Sequence, residues 1–241
     1  SMVVIGVLSA IIAALYAVFE RDDGRALGWS SVSQLGFAIL SPSYACIYAM
    51  QHGICKTLLF TTLSSPLQDN ESIESAQSAP TNIPEWLLVT IFVIASLSIM
   101  GLPFTAGFIT KTWLKGDIPI EASLITSTST LLTATVYARL IWSRSKIYIK
   151  NLELYKSLDK HKYNILNPQS IVLIVSATLI IGFSFSYQEA YYYSNIQSSL
   201  AAVVLASFLY TSVACLQTES FVKPVTRTLD LVGAPFVVAA L

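Results

Sequence analysis

Charge is the first thing missing. Only 12% of the 241 residues are Asp, Glu, Lys or Arg, while 54% are hydrophobic; a soluble domain carries about 25% charged residues. With a mean hydropathy of +0.63, the chain falls in the membrane class. Fourteen basic and fourteen acidic residues cancel, so nothing in the balance invites a nucleic acid. Cysteine is scarce too. Cys46, Cys55 and Cys215 lie in apolar runs without metal-ligand spacing, which reads as small buried hydrophobes and excludes a metal centre. No G-x-G-x-x-G, C-x-x-C or P-loop occurs, so no nucleotide, flavin or iron–sulfur cofactor is expected. The opening SMVVIGVLSA has no positive flank and no cleavage site, against a secretory signal. Either the first helix starts at once or the chain is the later part of something longer.

What the chain does have is a succession of long apolar runs. Met2–Phe19 is the first, followed by a compact charged turn at Glu20–Arg25. A second, from about Ala26 to Ser41, is polar in its first half, where Ser30, Ser31, Ser33 and Gln34 favour close helix approach and cross-helix hydrogen bonds. Pro42-Ser43 turns the chain into a third run ending at Leu63. Ser64–Glu85 is an acidic, Ser/Pro/Asn-rich connection. Trp86–Leu114 is too long for one straight crossing and contains Gly101-Leu102-Pro103. Proline removes a backbone hydrogen bond and glycine eases the break, which predicts a discontinuous helix lining a cavity. Pro119–Trp142, Gln169–Tyr187 and Ser199–Leu216 complete seven membrane-spanning segments, with a basic connection at Ser143–Pro168 and an aromatic belt at Tyr187 and Tyr191–Tyr193. Leu231–Leu241 is too short to cross. Counting alternate connections, ten basic residues fall on one side (Arg21, Arg25, Arg144, Lys146, Lys150, Lys156, Lys160, Lys162, Lys223, Arg227) and Lys115 alone on the other. The basic side is then the cytoplasmic one or its equivalent, with the N-terminus opposite.

The chain organises around QHGICKTLLF, residues 51–60. Lys56 sits near the middle of a run of about 20 residues that would cross a bilayer, too deep to reach the headgroups. A lysine there costs roughly 2.5–3.5 kcal/mol and marks an ion or proton path. His52 lies one helical turn before it on the same face, and Tyr48 one turn further back. Lys111 follows the Gly101/Pro103 break by eight residues after Pro103. Read from spacing alone, it is either a lysine snorkelling from a helix end or a second buried group.

Three motifs, in order, resemble one family. DDGRALGWSSVSQLGF is similar to the D-x-K-R-x-L-A-Y-S-S-x-S-Q-x-G segment of the antiporter-like membrane subunits of proton-pumping NADH dehydrogenase (complex I) and of Mrp-type cation/proton antiporters. HGICKTLLF resembles their H-A-x-x-K-x-x-L-F helix, and GLPFTAGFITK their G-x-P-x-x-x-G-F-x-x-K broken helix. The resemblance covers about Met2–Trp142. It implies an all-α membrane fold in which residues 1–142 form one repeat, the second, of an inverted-repeat antiporter fold, and residues 143–241 supply the basic connection and C-terminal membrane helices. It further implies a proton path through His52, Lys56 and Lys111, with Ser30, Ser33, Gln34 and Tyr48 in support and the helix break at Gly101 and Pro103. Lost hydration disfavours a charged ammonium, so buried lysines can give up and regain protons, and His52 suits a shuttle.

Two departures stand out. The motif lysine is Gly24, and a histidine found one turn before His52 in some members is Tyr48. The first repeat is also missing, so the resemblance implies partners: other membrane subunits, among them a chain supplying that repeat, besides the lipid bilayer and protons. The expected function is a proton-translocating membrane subunit, or the C-terminal part of one, of an NAD(P)H–quinone oxidoreductase. No redox chemistry is expected on this chain. The expected location is a bacterial inner, thylakoid or organellar inner membrane. The alternatives are a non-transporting scaffold of such a complex or a part of an Mrp-type antiporter. An intramembrane enzyme is disfavoured, because no nucleophile–base–orienter set is visible.

Overall fold

The computed structural model describes residues 2–64, 83–118, 120–150, 168–185 and 187–216. These residues form α-helices and one short 3₁₀ turn at Gln188–Ala190, with no strand among them. The helices are α1 (Met2–Phe19), α2 (Asp23–Leu40), α3 (Ala45–Leu63), α4 (Glu85–Met100), α5 (Ala106–Asp117), α6 (Ile120–Lys150), α7 (Pro168–Phe185) and α8 (Tyr193–Leu216).

The helix ends follow from local chemistry. Asp22 caps α2, its Oδ1 accepting from the Arg25 amide at 2.7 Å; such a cap contributes about 1 kcal/mol. Helix α4 ends at Gly101, whose left-handed φ of +83° is conformation that glycine adopts without a Cβ penalty. There the Gly101 amide donates to Leu97 and Ser98 oxygens and the Leu102 amide to Leu97, closing the helix in a Schellman arrangement. After Pro103 the chain restarts as α5, so α4 and α5 are two halves of one discontinuous rod. The halves touch closely. A Cβ on Gly107 would lie 1.7 Å from the Ser98 carbonyl oxygen.

Helices α1 and α2 cross where Gly36 meets the backbone of Gly6 and Ala10; a Cβ at Gly36 would come within 2.6 Å of the Gly6 oxygen. Helix α6 packs against α1, α2, α4 and α8, while α3 packs against α2, α4, α5 and α7. Between them sits a core that includes Leu27, Cys55, Leu59, Phe92, Tyr137 and Leu140. The outer surface is apolar: Met50, Val172, Phe208 and Leu124 are all largely exposed. Large apolar side chains exposed on several helices suit contact with lipid or another protein.

Among the described residues, no helix is long and apolar enough to cross a membrane by itself. Two of the helices carry polar residues within their apolar runs. Helix α3 carries Gln51, His52 and Lys56, and α2 carries its serines and Gln34.

Several expected boundaries shift. Helix α2 begins at Asp23, so half of the charged turn Glu20–Arg25 is helical, because Asp22 makes the cap. Helix α6 runs eight residues past Trp142, to Lys150, so the basic connection starts inside a helix. Arg144, expected in the basic connection, is buried on α6. Helix α8 begins at Tyr193, six residues before Ser199. Cys46, expected to be a buried hydrophobe, is exposed on α3, whereas Cys55 is buried; Cys46 falls on the face away from the core. The acidic residues Asp69, Glu71 and Glu74, the basic residues Lys156, Lys160, Lys162, Lys223 and Arg227, the Cys215 side chain and the segment Leu231–Leu241 lie outside the described residues.

Candidate functional site

Helix α3 presents its polar stripe inward. Tyr48, His52 and Lys56 recur at intervals of four and are all buried, with Lys56 only 7% exposed. The outward face of the same helix carries Ile47, Met50, Gly53, Thr57 and Phe60.

Lys56 crosses to α2. Its Nζ donates to the Leu27 carbonyl oxygen at 2.5 Å and to Ser30 Oγ at 2.5 Å. Ser30 Oγ in turn is 2.8 Å from the Tyr137 hydroxyl of α6, and the ammonium lies 5.5 Å from the centre of the Tyr137 ring, within reach of a cation–π contact. Every partner is neutral. The ion pair recorded among the described residues, Arg25 with Glu20, lies elsewhere. Ordinarily a buried ammonium is paired with a carboxylate; here oxygen dipoles and a π face hold it.

One turn up the stripe, the Tyr48 hydroxyl donates to Gln34 Oε1 and the Tyr48 ring stacks on His52 at 6.0 Å between centroids. Lys111 borders one small cavity with Tyr48. Among the described residues, His52 Nε2, Gln34 Nε2 and Lys111 Nζ are buried without a hydrogen-bond partner. Buried polar atoms in native proteins are satisfied by protein or by ordered water, so three such atoms along one stripe fit a hydrated path.

Lys111 is placed by the break. It lies on α5, and its stem packs on Gly101, where an added Cβ would approach Lys111 Cδ to 3.0 Å. The missing side chain at Gly101 therefore does two things: it allows the left-handed turn that ends α4, and it makes room for the lysine. Pro103 sits between the two half-helices. Ser33 belongs to a different contact from its neighbours. Its Oγ donates to the Ala10 oxygen at 2.8 Å and meets Ser129 Oγ at 3.1 Å, so it ties α2 to α1 and α6 and does not touch Lys56.

Several residues that sequence reasoning passed over complete the site. Gln51, adjacent to His52, bridges α3 to the break: its Nε2 donates to Ser98 Oγ at 3.1 Å, and Thr110 Oγ1 donates to its Oε1 at 3.4 Å. Ser98 Oγ also accepts from the Gly107 amide at 3.2 Å, satisfying one orphan donor at the start of α5. Ser199 of α8 donates to the Gly101 carbonyl oxygen at 2.5 Å, satisfying an orphan at the end of α4. Tyr137 shows no sequence signal, being one tyrosine in an apolar helix. Arg139, a lone cation in the run VYARLIW, could have been found by that isolation.

At the end of the bundle where α3 finishes, Arg139 Nη1 donates to the Val18 oxygen at 3.0 Å and Arg144 Nη2 to the Leu63 oxygen at 2.6 Å. Two guanidinium groups from α6 thus cap the C-terminal carbonyls of α1 and α3, where positive charge is favoured. Arg144 also lies 5.7 Å from the Phe92 ring centre.

Comparison with known proteins places this arrangement in context. Residues 1–144 match the profile described as NADH:quinone oxidoreductase/Mrp antiporter, TM. Among curated relatives, the NADH-ubiquinone oxidoreductase chain 5 of Metridium senile is 26% identical over 202 residues, covering 75% of this chain and 32% of the relative. The NADH-quinone oxidoreductase subunit N of Buchnera aphidicola is 27% identical over 199 residues, covering 73% and 39%. The chain 5 of Petromyzon marinus is 31% identical over 126 residues, covering 49% and 20%. The chain spans about a third of the length of the curated relatives it matches.

Proposed function

The chain belongs to the NADH:quinone oxidoreductase/Mrp antiporter transmembrane family, and on that footing we propose that it moves protons across a membrane as part of an NAD(P)H–quinone oxidoreductase. Its seven helical rods, counting α4 and α5 as one, cross the bilayer as a group. Its partners are the other membrane subunits, including one that supplies the first repeat. The electron-transfer chemistry takes place on those partners. The membrane is a bacterial inner, thylakoid or organellar inner membrane.

The observation that carries the reading is the environment of Lys56. A buried ammonium held by the Leu27 oxygen and Ser30 Oγ has no carboxylate within ion-pair distance among the described residues to lock its proton in place. Removing the proton leaves a neutral amine among neutral dipoles, which a low-dielectric site tolerates. Adding it back costs desolvation, offset in part by those oxygens and the Tyr137 ring. Both protonation states are therefore accessible, which a relay requires and a structural ion pair prevents. Protons pass along the stripe between Lys111, His52 and Lys56, with Gln34 and Tyr48 flanking it. The Gly101–Pro103 break gives Lys111 its place in the bundle.

Proton pumping by membranes carrying the parent complex with Lys56→Ala tests the reading, with quinone reduction measured beside it. Loss of pumping with the complex assembled supports it. Full pumping favours a scaffold role in the complex, in which the same polar contacts only fix helix register.

A further inference from the structure

On the side of the bundle away from Arg139 and Arg144, residues of four helices border a partly open cavity of about 10 Å³. Tyr48 from α3, Phe37 from α2, Thr126 and Thr130 from α6, and both Lys111 and Lys115 from α5 line it. That volume is at the size needed for a single water molecule, about 10–15 Å³ by this measure. We propose that this cavity is a one-water site linking Lys111 to Lys115, and that Lys115 is the outlet group passing the proton to the membrane face opposite the basic connections. The inference rests on the proton-translocating reading above and names its exit.

The polar complement of the walls fits one water. The three hydroxyls spend their own protons elsewhere: Tyr48 donates to Gln34, Thr126 to the Ser123 oxygen at 2.9 Å, and Thr130 to the Thr126 oxygen at 2.8 Å. They offer only lone pairs to the cavity. Lys111 supplies the opposite need, because its ammonium is buried with no acceptor among the described residues. A water there accepts from Lys111 and donates to hydroxyl oxygens, using the donor and acceptor capacity of each group.

Lys115 stands one helical turn beyond Lys111, so the two stems lie on one face about 5–6 Å apart at Cβ. Unlike Lys111, Lys115 is exposed, so it touches both the cavity and the outside. Two residues further along, Asp117 Oδ2 accepts from Ser41 Oγ at 2.8 Å, which joins the ends of α2 and α5.

The transfer balances without a co-reactant. The Lys111 Nζ–H bond breaks as an O–H bond forms on the water. A different O–H of that water breaks as an Nζ–H forms on neutral Lys115. Lys115 then releases its proton to outside water. Two ammonium charges one helical turn apart repel, so a proton held on Lys111 opposes one held on Lys115.

The test compares proton pumping per electron in the intact complex carrying Lys115→Arg, Lys115→Met, Thr130→Leu or Lys111→Ala, with uncoupled quinone reduction as the measure of assembly. Arginine keeps the charge and any structural role of Lys115 but does not deprotonate. The expected result is a several-fold loss of pumping in all four variants with quinone reduction retained. Unchanged pumping in Lys115→Arg, with Lys111→Ala inactive, overturns the outlet while leaving the proton path intact. Unchanged pumping in Lys111→Ala overturns the path and the outlet together. Because Lys115 is exposed, its variants remain informative if Thr130→Leu fails to assemble.

Discussion

The Lys56 ammonium of α3 lies 2.5 Å from the carbonyl oxygen of Leu27 on α2. That single contact joins two helices through a group able to lose the proton that makes the bond. Protonation of Lys56 and the docking of α3 on α2 are therefore coupled: the neutral amine still donates, but more weakly than the charge-assisted bond it replaces.

Ser30 is the second anchor of this arrangement, touching both Lys56 and Tyr137. Ser30→Ala removes an acceptor from the ammonium and leaves the Tyr137 hydroxyl without this partner. The expected outcome is slowed proton pumping with assembly preserved, and a destabilisation of about 1–3 kcal/mol for the group left unsatisfied. Thermal unfolding of the purified complex, run beside the pumping assay, checks both halves. Thr57→Ala on the outward face of α3, which removes a bond only to the Gly53 oxygen of its own helix, serves as the comparison and is expected to leave pumping unchanged.

The break depends on Gly107. A methyl group there overlaps the Ser98 oxygen, so Gly107→Ala forces α4 and α5 apart and disturbs the Ser98–Gln51 bridge. Overpacking of this kind costs about 1–3 kcal/mol or more. Gly116→Ala on the same helix meets nothing within 4 Å. A lower yield of assembled complex for Gly107→Ala and an unchanged yield for Gly116→Ala is the expected result; equal yields would mean that the half-helices separate at no cost.

Arg144→Ala withdraws the guanidinium from the Thr62 and Leu63 oxygens and from the Phe92 ring. Unsatisfied buried acceptors cost about 1–3 kcal/mol each. Lys at this position keeps the charge but not the fork geometry, so Arg144→Lys recovers only part of the loss. Unfolding midpoints of the two variants against the parent decide the point.

The proposed topology puts the connection after α6 on the basic side. A cysteine introduced at Lys156 is expected to react with a membrane-impermeant thiol reagent from that side only. Labelling from the opposite side would reverse the orientation of every helix, and with it the direction from inlet to outlet.

Much of this was legible in the sequence. The run with His52 and Lys56 at a spacing of four fixes one inward stripe, because helical periodicity leaves no other choice, and Gly101 with Pro103 marks the break. Other contacts were not legible, for physical reasons. Tyr137 and Ser199 reach the site from helices distant in sequence, and nothing local distinguishes a tyrosine or serine that will meet a partner from one that will not. Ser33 shares the serine-rich turn with Ser30, but a rotation of three residues along α2 points it to α1 and α6. The length of α6 was hidden because Arg144 and Lys146 read as loop charge, whereas Arg144 finds its acceptors at the end of α3 and the helix continues.

The most direct measurement is the ratio of protons translocated to electrons transferred in proteoliposomes containing the complete complex with Lys56→Ala, and with Lys56→Arg beside it. Alanine removes the titrating group, and arginine keeps a permanent charge that cannot be released. A ratio reduced in both variants, while quinone reduction in the presence of an uncoupler stays near the parent level, is the predicted result. An undiminished ratio in Lys56→Ala would contradict the account and take Lys56 out of the proton path.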